Sequence, residues 1–187
     1  MPESRRPNRG PSAAAENRAA LVAAAREVFA SAGYNAPLST VARVAGVGQG
    51  SLYRHFPDRI SLAMAVFEDG VTELEALAAR PGTTLDDLLT LLTEQTIAST
   101  AFIDLVTATP PAEPDPRILD LRDRVSRVLA GVLGDARRAG SVRGDVTADD
   151  LVLVVGMLAG VLAKTPAPAR RDTAARVWAL LRQGIAP

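Results

Sequence analysis

Two short helical patterns separated by a glycine turn constrain this chain more than any other part of its sequence. The stretch LSTVARVAGVGQGSLYRHFPDR, from Leu38 to Arg59, has apolar residues at helical spacing on both sides of Gly46 and Gly48. Neither helix is longer than about two turns, and isolated helices shorter than about 12 residues are marginal in water. The two helices must therefore pack against each other and against a further helix.

The rest of the chain also has helical spacing, and no segment alternates between apolar and polar residues as a half-buried strand does. We therefore predict an all-α protein with about nine helices and no sheet. Gly33 ends the first helix, and Thr84 and Thr147 each precede an aspartate by three residues, in capping-box spacing. A helix over 85–99 is followed by a short helical piece over 100–108.

Charge and periodicity divide the chain into three predicted parts. Residues 1–14 hold three prolines and three arginines without periodicity, which predicts a disordered basic arm, either a solvated tail or a contact for a polyanion. Residues 15–58 form a helix-turn-helix domain, and residues 59–187 form a larger helical domain. The first 59 residues carry eight arginines against four acidic residues, whereas the remainder has 13 basic and 17 acidic residues. A basic first third suits a polyanionic partner.

Composition argues against several classes of site. The chain has no cysteine, which excludes disulfides, thiolate metal sites and cysteine nucleophiles. One histidine with scattered carboxylates provides no metal-ligand cluster, so we expect neither a metal nor a cofactor. A transmembrane helix needs about 20 apolar residues, and the longest apolar run, Leu151 to Ala163, is shorter than that. With no recognisable signal peptide, we expect a cytoplasmic protein without a membrane partner.

The short helix that follows the glycine turn presents a surface of the kind that binds DNA. When Leu52 and Phe56 face the core, steps of about 100° per residue turn the polar residues outward. This outward face consists of Gly50, Ser51, Tyr53 and Arg54, with Gln49 and His55 at its margins. In a major groove, Gln can pair bidentately with adenine and Arg with guanine, while hydroxyls and imidazole can hold phosphates.

The sequence from Val41 to Arg59, VARVAGVGQGSLYRHFPDR, resembles the helix-turn-helix of the TetR family of bacterial transcriptional regulators. The turn, the glycines, Leu-Tyr and His-Phe all fall in the family's register, I-A-x-x-A-G-V-S-x-G-T-L-Y-x-H-F-x-x-K. The resemblance implies a dimeric DNA-binding regulator, most often a repressor that a small-molecule effector releases from its operator. Two-fold symmetry then implies a palindromic site in double-stranded DNA.

The resemblance also assigns individual DNA contacts. Gln49 and Arg54 become candidates for base reading, and hydroxyl, phenol and imidazole groups become candidates for phosphate or base-edge contacts. The full predicted DNA-binding set is Ser39, Thr40, Gly48, Gln49, Gly50, Ser51, Tyr53, Arg54, His55 and Arg59.

Three positions depart from the family pattern. Gly48 replaces the usual serine, Pro37 replaces a common threonine, and Arg59 replaces the usual lysine. The first two changes remove hydroxyl groups that would cap a helix or contact phosphate, whereas the third keeps the charge. We therefore expect the DNA-binding unit to depend more on Arg59 and on the arginines of the arm.

The larger domain is expected to hold the effector pocket and the dimer interface. Gly156 and Gly160 form a G-x-x-x-G spacing, which indicates either tight packing within the core or a two-fold interface, and the family dimerises through its last two helices. The predicted interface residues are Leu151, Gly156, Gly160, Val177, Trp178 and Leu181. The predicted pocket residues are Met64, Phe67, Thr96, Ile97, Thr100, Phe102, Val106, Val125 and Met157, any of which can be plain core instead. Few aromatics favour an aliphatic or compact effector.

Two alternative functions stay open. The helix-turn-helix can be a packing unit of a helical ligand-binding or scaffold protein that binds no DNA. Ser51 and His55 lie one turn apart and could form a catalytic pair, but one surface helix provides neither an oxyanion hole nor a sheltered pocket. We therefore expect no enzymatic activity.

Overall fold

Helical periodicity in the sequence corresponds to helices in the structure. The computed structural model describes residues 11–108 and 116–185, and side chains within 12–99 and 116–182. The described residues form eight α-helices and no strand: α1 (Pro11–Ala32), α2 (Leu38–Val44), α3 (Gln49–His55), α4 (Arg59–Ala78), α5 (Leu85–Ala108), α6 (Pro116–Arg138), α7 (Ala148–Ala163) and α8 (Arg170–Ile185), with a 3₁₀ turn (Ala167–Ala169) before α8. No helix in these ranges is long and apolar enough to cross a membrane. The predicted all-α fold is confirmed.

The first three helices enclose one hydrophobic cluster. Leu21 of α1, Val41 of α2 and Leu52 of α3 are fully buried in it. The cluster continues into the first two turns of α4, where Leu62 and Val66 are buried. Because α2 and α3 are too short to persist alone, this shared core holds them in place.

The turn between α2 and α3 requires a glycine. Gly46 has a φ of +66°, in the left-handed region that side chains disfavour. The Val47 N–H donates to the Ala42 carbonyl at 2.9 Å, and the Gly46 N–H donates to the Arg43 carbonyl at 3.2 Å. These two bonds form a Schellman motif, which satisfies the last carbonyls of α2 and directs the chain into α3.

The larger domain has a second core. Leu88 of α5, Leu129 of α6 and Leu151 of α7 are fully buried there. Leu74, near the end of α4, belongs to the same cluster. Since the first turns of α4 pack into the three-helix unit, α4 links the two cores.

Two predicted capping boxes are confirmed in the larger domain. The Thr84 N–H donates to Asp87 Oδ2 at 2.9 Å, and the Asp87 N–H donates back to Thr84 Oγ1 at 3.2 Å. Thr147 and Asp150 repeat this arrangement at 2.8 and 3.1 Å at the start of α7. Hydrogen bonds from the two threonines lower the pKa of both aspartates.

The first helix begins earlier than predicted. α1 starts at Pro11, so residues 11–14 belong to it rather than to the arm, and residues 1–10 lie outside the described residues. Proline is tolerated in the first turn of a helix because its missing N–H would have no intrahelical partner there.

The fifth helix is longer than predicted. α5 runs without a break to Ala108, so the pieces expected over 85–99 and 100–108 are one helix, and the described part of the chain has eight helices instead of nine. No glycine or proline interrupts α5. The hydroxyls of Thr93 and Thr96 donate to carbonyls one turn earlier, both at 2.7 Å, and so do not compete with the helix.

Candidate nucleic-acid interface and ligand cavity

α3 is held by its apolar side. Leu52 is fully buried and Phe56 is 2% exposed, both in the cluster that they share with α1. The guanidinium of Arg18 on α1 lies 5.4 Å from the centre of the Phe56 ring. This anchoring confirms the helix orientation derived from the sequence.

The opposite side of α3 is a continuous polar surface, which we call the recognition face. It consists of exposed Gln49, Gly50, Tyr53 and Arg54, with half-buried Ser51 and His55 at its edges. Tyr53 is 54% exposed, although aromatic side chains are usually largely buried and this protein has few of them. The predicted residues of α3 are therefore brought together on one surface that is open to a partner.

The start of each short helix lacks a side-chain cap. Pro37 and Gly48 occupy the two N-cap positions, as predicted, and neither provides a side-chain hydrogen bond. Ser39 is exposed and Thr40 half-buried in the first turn of α2. The φ of Gly48 is −65°, and a Cβ there would meet no atom within 4 Å, so the backbone does not require glycine at this position.

Arg59, the first residue of α4, turns into the protein. Its Nη1 donates to the carbonyls of Tyr34 and Ala36, each at 2.5 Å, and its guanidinium carbon lies 5.4 Å from the centre of the Tyr34 ring. Burial raises the pKa of the Tyr34 phenol, and the positive charge of Arg59 partly offsets this rise. Arg59 thus ties the loop between α1 and α2 to the start of α4, a role that the sequence pattern did not indicate. Its contact with DNA stays a prediction.

A polar network joins α1, α4 and α5. Arg26 of α1 donates to Asp69 at 2.6 Å and to Glu73 at 2.7 Å, both on α4. Gln95 of α5 donates through Nε2 to the Gly70 carbonyl at 3.0 Å and to Glu73 Oε2 at 3.2 Å. A Cβ on Gly70 would lie 3.2 Å from the Gln95 amide, so glycine permits this close approach.

A cavity of about 310 Å³ lies next to this network. α5, α6 and α7 each supply residues at positions i, i+3, i+4 and i+7, which share one face of a helix. These are Leu92, Gln95, Thr96 and Ser99 of α5; Ile118, Leu121, Arg122 and Val125 of α6; and Val152, Val155, Gly156 and Ala159 of α7. α4 adds Met64, Val66, Phe67, Gly70 and Val71, and α1 adds Arg26. The volume is at the lower end of the about 300–1,000 Å³ typical of ligand pockets.

The cavity shares wall residues with the core of the three-helix unit. Met64 and Val66 belong to the cluster that anchors α3, and Ile118 and Leu121 of α6 pack against that cluster. A molecule in the cavity would therefore contact side chains of the same hydrophobic cluster that contains Leu52 and Phe56.

The predicted pocket residues divide into three groups. Those that line the cavity are Met64, Phe67, Thr96 and Val125. The side chains of Thr100, Phe102 and Val106 lie outside the described residues. Ile97 packs in a third cluster with Leu158, and Met157 is 54% exposed on the outer side of α7, so neither lines the cavity as predicted. Each directly follows a lining residue, and one step of about 100° turns it away.

Four polar residues of the cavity wall were missed: Arg26, Gln95, Ser99 and Arg122. Gln95 and Arg122 stand at the same three- and four-residue spacing as the apolar wall residues of α5 and α6. That spacing was the signal that could have found them.

Two further grooves lie on the larger domain. One, of about 450 Å³, separates α5 from α8 and is lined by Thr93 and Trp178. The other, of about 680 Å³, is lined by Thr84 and Val142. Neither is lined by a residue of the cluster that anchors α3, so the smaller cavity is the better candidate for an effector site.

The outer face of α7 is apolar and exposed. Leu153, Met157 and Val161 are 63%, 54% and 45% exposed, and they are spaced at helical intervals with Gly156 and Gly160. A Cβ on either glycine would meet no atom within 4 Å. Packing against the described residues of the same protomer therefore does not explain the G-x-x-x-G spacing. Exposed apolar surfaces of this kind mark interaction sites.

The predicted interface residues do not all lie on this surface. Leu151 is fully buried in the core of its own protomer, so its assignment to the interface is wrong. It precedes Leu153 by two residues, about 200° around the helix. Val177, Trp178 and Leu181 are half-buried on α8, and the Trp178 indole N–H donates to Thr93 Oγ1 at 2.7 Å. α8 also exposes 71% of Leu180.

Similarity to known sequence families covers most of the chain. The model for bacterial regulatory proteins of the tetR family matches residues 21–66. The model for the C-terminal domain of SbtR-like transcriptional regulators matches residues 80–187. No curated protein matches the chain significantly.

Several solved structures resemble the whole chain. A TetR transcriptional regulator from Streptomyces coelicolor is 28% identical, with a TM-score of 0.67 over 91% of this chain and 98% of that one. A TetR transcription regulatory protein from Mycobacterium vanbaalenii is 27% identical, with a TM-score of 0.65 over 94% and 98%. The TetR family protein CprB from Streptomyces coelicolor, in complex with its biological operator sequence, is 27% identical, with a TM-score of 0.59 over 94% and 91%. The similarity thus extends well beyond the helix-turn-helix.

Proposed function

The chain belongs to the TetR family of DNA-binding transcriptional regulators, and on that premise we propose that it is a repressor that a small molecule releases from a palindromic operator. The observation that carries this proposal is the recognition face, a polar surface held outward by the burial of Leu52 and Phe56. Such a helix fits the major groove, which is about 12 Å wide and admits one helix.

The recognition face offers the chemistry that reading DNA needs. Arg54 is proposed to bind guanine and Gln49 adenine, because both are exposed and each can form two hydrogen bonds to a base edge. Tyr53 and the edge residues Ser51 and His55 are proposed to contact phosphates. Gly50 leaves space for the α3 backbone to approach the DNA closely.

A homodimer is proposed to form through the outer face of α7 together with α8. Gly156 and Gly160 have no neighbour within 4 Å of a Cβ position, so a second helix can approach there. Leu153 and Met157 would then exchange exposure to water for contact with the second copy. A two-fold pair places two recognition helices about 34 Å apart, one turn of DNA, and so requires a palindrome.

Release of DNA is proposed to begin at the 310 Å³ cavity. Met64 and Val66 belong both to the cavity wall and to the core that anchors α3. The network of Arg26, Glu73 and Gln95 provides a second connection between the wall and α1. A ligand that fits only one position of these helices shifts the population toward that position and away from the DNA-binding one.

The alternative functions fit less well. A scaffold protein gives no reason for an exposed tyrosine and arginine on α3. For an enzyme, Ser51 and His55 would have to act at the edge of an open surface, so we assign the chain no catalytic activity. The proposed site of action is the cytoplasm, where the chromosome of a bacterium lies.

Operator selection tests the proposal directly. The unliganded protein is incubated with a library of random DNA duplexes, and the bound duplexes are enriched and sequenced. We expect a palindrome, and binding that weakens steeply with salt because phosphate contacts release counterions. No binding to any duplex would favour the scaffold alternative, and equal affinity for all duplexes would contradict the proposed base reading.

Sedimentation tests the dimer. The wild-type protein is expected at twice the chain mass, and Met157→Lys at the chain mass, because a buried lysine charge in the interface is costly. Leu119→Lys is the matched control, since Leu119 is 42% exposed on α6, outside the outer face of α7. A Met157→Lys protein that stays dimeric would move the interface elsewhere.

A further inference from the structure

We propose that the cavity binds a compact aliphatic monocarboxylate, whose chain fills the apolar interior and whose carboxylate pairs with Arg122. The inference rests on the proposed function in one respect, that this cavity is the effector site. It adds the chemical class of the ligand and the residue that selects it.

Arg122 interrupts an otherwise apolar wall. Ile118, Leu121 and Val125 are the other α6 residues that line the cavity, and Arg122 stands in register with them. The residue lines the cavity and is also exposed to solvent. Arginine commonly has this arrangement at a boundary, with its stem along apolar surface and its guanidinium in contact with water.

Arg122 differs from Arg26 and Arg124, which both form ion pairs, in that it has no anionic partner among the described residues. Arg26, the other arginine of the cavity wall, is paired with two carboxylates of α4. Arg124 binds Glu75 through Nε and Nη2 at 2.9 and 2.7 Å, and these bonds hold the pKa of the Glu75 carboxyl below its usual range. Among the described residues Arg122 forms no ion pair within 4.0 Å. Its guanidinium is therefore available for a bidentate contact with a ligand carboxylate.

The α5 wall favours an apolar body for the same ligand. The amide group of Gln95 donates to the Gly70 carbonyl and to Glu73. The Thr96 hydroxyl donates to the Leu92 carbonyl at 2.7 Å. A ligand carbonyl beside Gln95 or Thr96 would find these donors already engaged, and an unsatisfied polar group in an apolar site is costly.

The size of the cavity limits the length of the chain. Its volume of about 310 Å³ is about twice that of a cavity of ~150 Å³ that holds one benzene molecule. By the same comparison the space holds up to about twelve carbons, which leaves room for a chain of roughly six to ten carbons and its carboxylate. A carboxylate at the Arg122 boundary stays near water, so binding does not require burial of an isolated charge.

Calorimetry with octanoate, 1-octanol and octylamine tests the class of ligand. The wild-type protein is expected to bind octanoate about tenfold or more tightly than 1-octanol, since a charge-assisted pair to Arg122 adds to the same apolar contact. Arg122→Gln should remove that preference by weakening octanoate alone. Arg127→Gln is the matched control, because Arg127 is exposed on the same helix and does not line the cavity.

A cavity-filling variant shows where the ligand binds. Ala159→Phe places a ring into the α7 wall and should abolish binding of octanoate and 1-octanol together. Circular dichroism checks that each variant is folded, and Arg122→Met replaces Arg122→Gln if the latter is not. Saturating octanoate should also weaken operator binding by the wild-type protein.

Four results would overturn the inference: equal affinity for octanoate and 1-octanol, tighter binding of octylamine, a preference that survives Arg122→Gln, or no binding of hexanoate, octanoate or decanoate. None of these results would contradict the proposed repressor function, because operator binding is measured on the unliganded protein. A folded, unliganded protein that selects no operator would instead contradict the proposed function.

Discussion

The recognition face and the cavity are built in opposite ways. The recognition face takes its residues from one short helix, between Gln49 and His55, and directs them away from the protein. The cavity takes its walls from α1 and from the four helices α4 to α7, and its lining residues are also packing residues. Removing a side chain from the recognition face should therefore weaken DNA binding without lowering stability, whereas changes around the cavity should affect both.

Arg54→Ala should have the largest effect on binding. Loss of a bidentate contact with a base costs about 1–3 kcal/mol, so we expect operator affinity to fall roughly 5- to 150-fold and the preference at one base pair to relax. Fluorescence anisotropy with the selected operator and single-base variants measures this, with Arg127→Ala as the control. A similar fall in melting temperature would show that the recognition face and the fold are not separate.

Arg26→Ala should reduce stability by about 1 kcal/mol, because it removes two charge-assisted contacts between α1 and α4. Urea unfolding measures the loss. Arg18→Ala provides the comparison, since the Arg18–Glu68 pair is 3.9 Å apart with both side chains at least half exposed, and it should cost less. If the two variants were equally stable, the network beside the cavity would have no special role in joining these helices.

Gly50→Ala should change stability and binding in opposite directions. Alanine in place of glycine within a helix adds up to about 1 kcal/mol of stability, and a Cβ at this position meets no atom within 4 Å. The same methyl group should weaken operator binding by blocking a close approach of the α3 backbone. Unchanged affinity in the more stable variant would show that the DNA does not come close to Gly50.

Gly48→Ser should have the smallest effect, a gain of a few tenths of a kcal/mol from a new N-cap on α3. Gly46→Ser is its matched opposite, because the φ of +66° at Gly46 makes any side chain costly, by about 1 kcal/mol. Chemical denaturation of the two variants should move the midpoint in opposite directions. Equal shifts would mean that the two turn glycines are not distinguished by backbone conformation.

The sequence was sufficient to predict those structural features that depend only on residues a few positions apart in the chain. The orientation of α3 follows from Leu52 and Phe56 at four-residue spacing, and the capping boxes at Thr84 and Thr147 follow from a three-residue pattern. The end of α5 was harder to predict, because the threonines and serines from Thr93 onward lower helix propensity, although the Thr93 and Thr96 hydroxyls bond to carbonyls within the helix.

The cavity could not be derived in the same way. Apolar residues of α5 and α7 face either the cavity or another surface, and one residue of displacement decides which. Thr96 lines the cavity while Ile97 packs beside α8, and Gly156 lines it while Met157 faces outward. Only the relative placement of several helices resolves this choice, and that placement depends on contacts distant in sequence.

The two faces of α7 have a consequence for the cell. Val152 and Val155 line the cavity, and Leu153 and Met157 belong to the surface proposed to join two copies. A ligand that displaces α7 must then also change the affinity of one copy for the other, and by reciprocity pairing must change the affinity for the ligand. The concentration of ligand needed to release the proposed operator would therefore depend on how many copies of the regulator the cell contains. Expression level would be a means of setting sensitivity, without any change in the cavity.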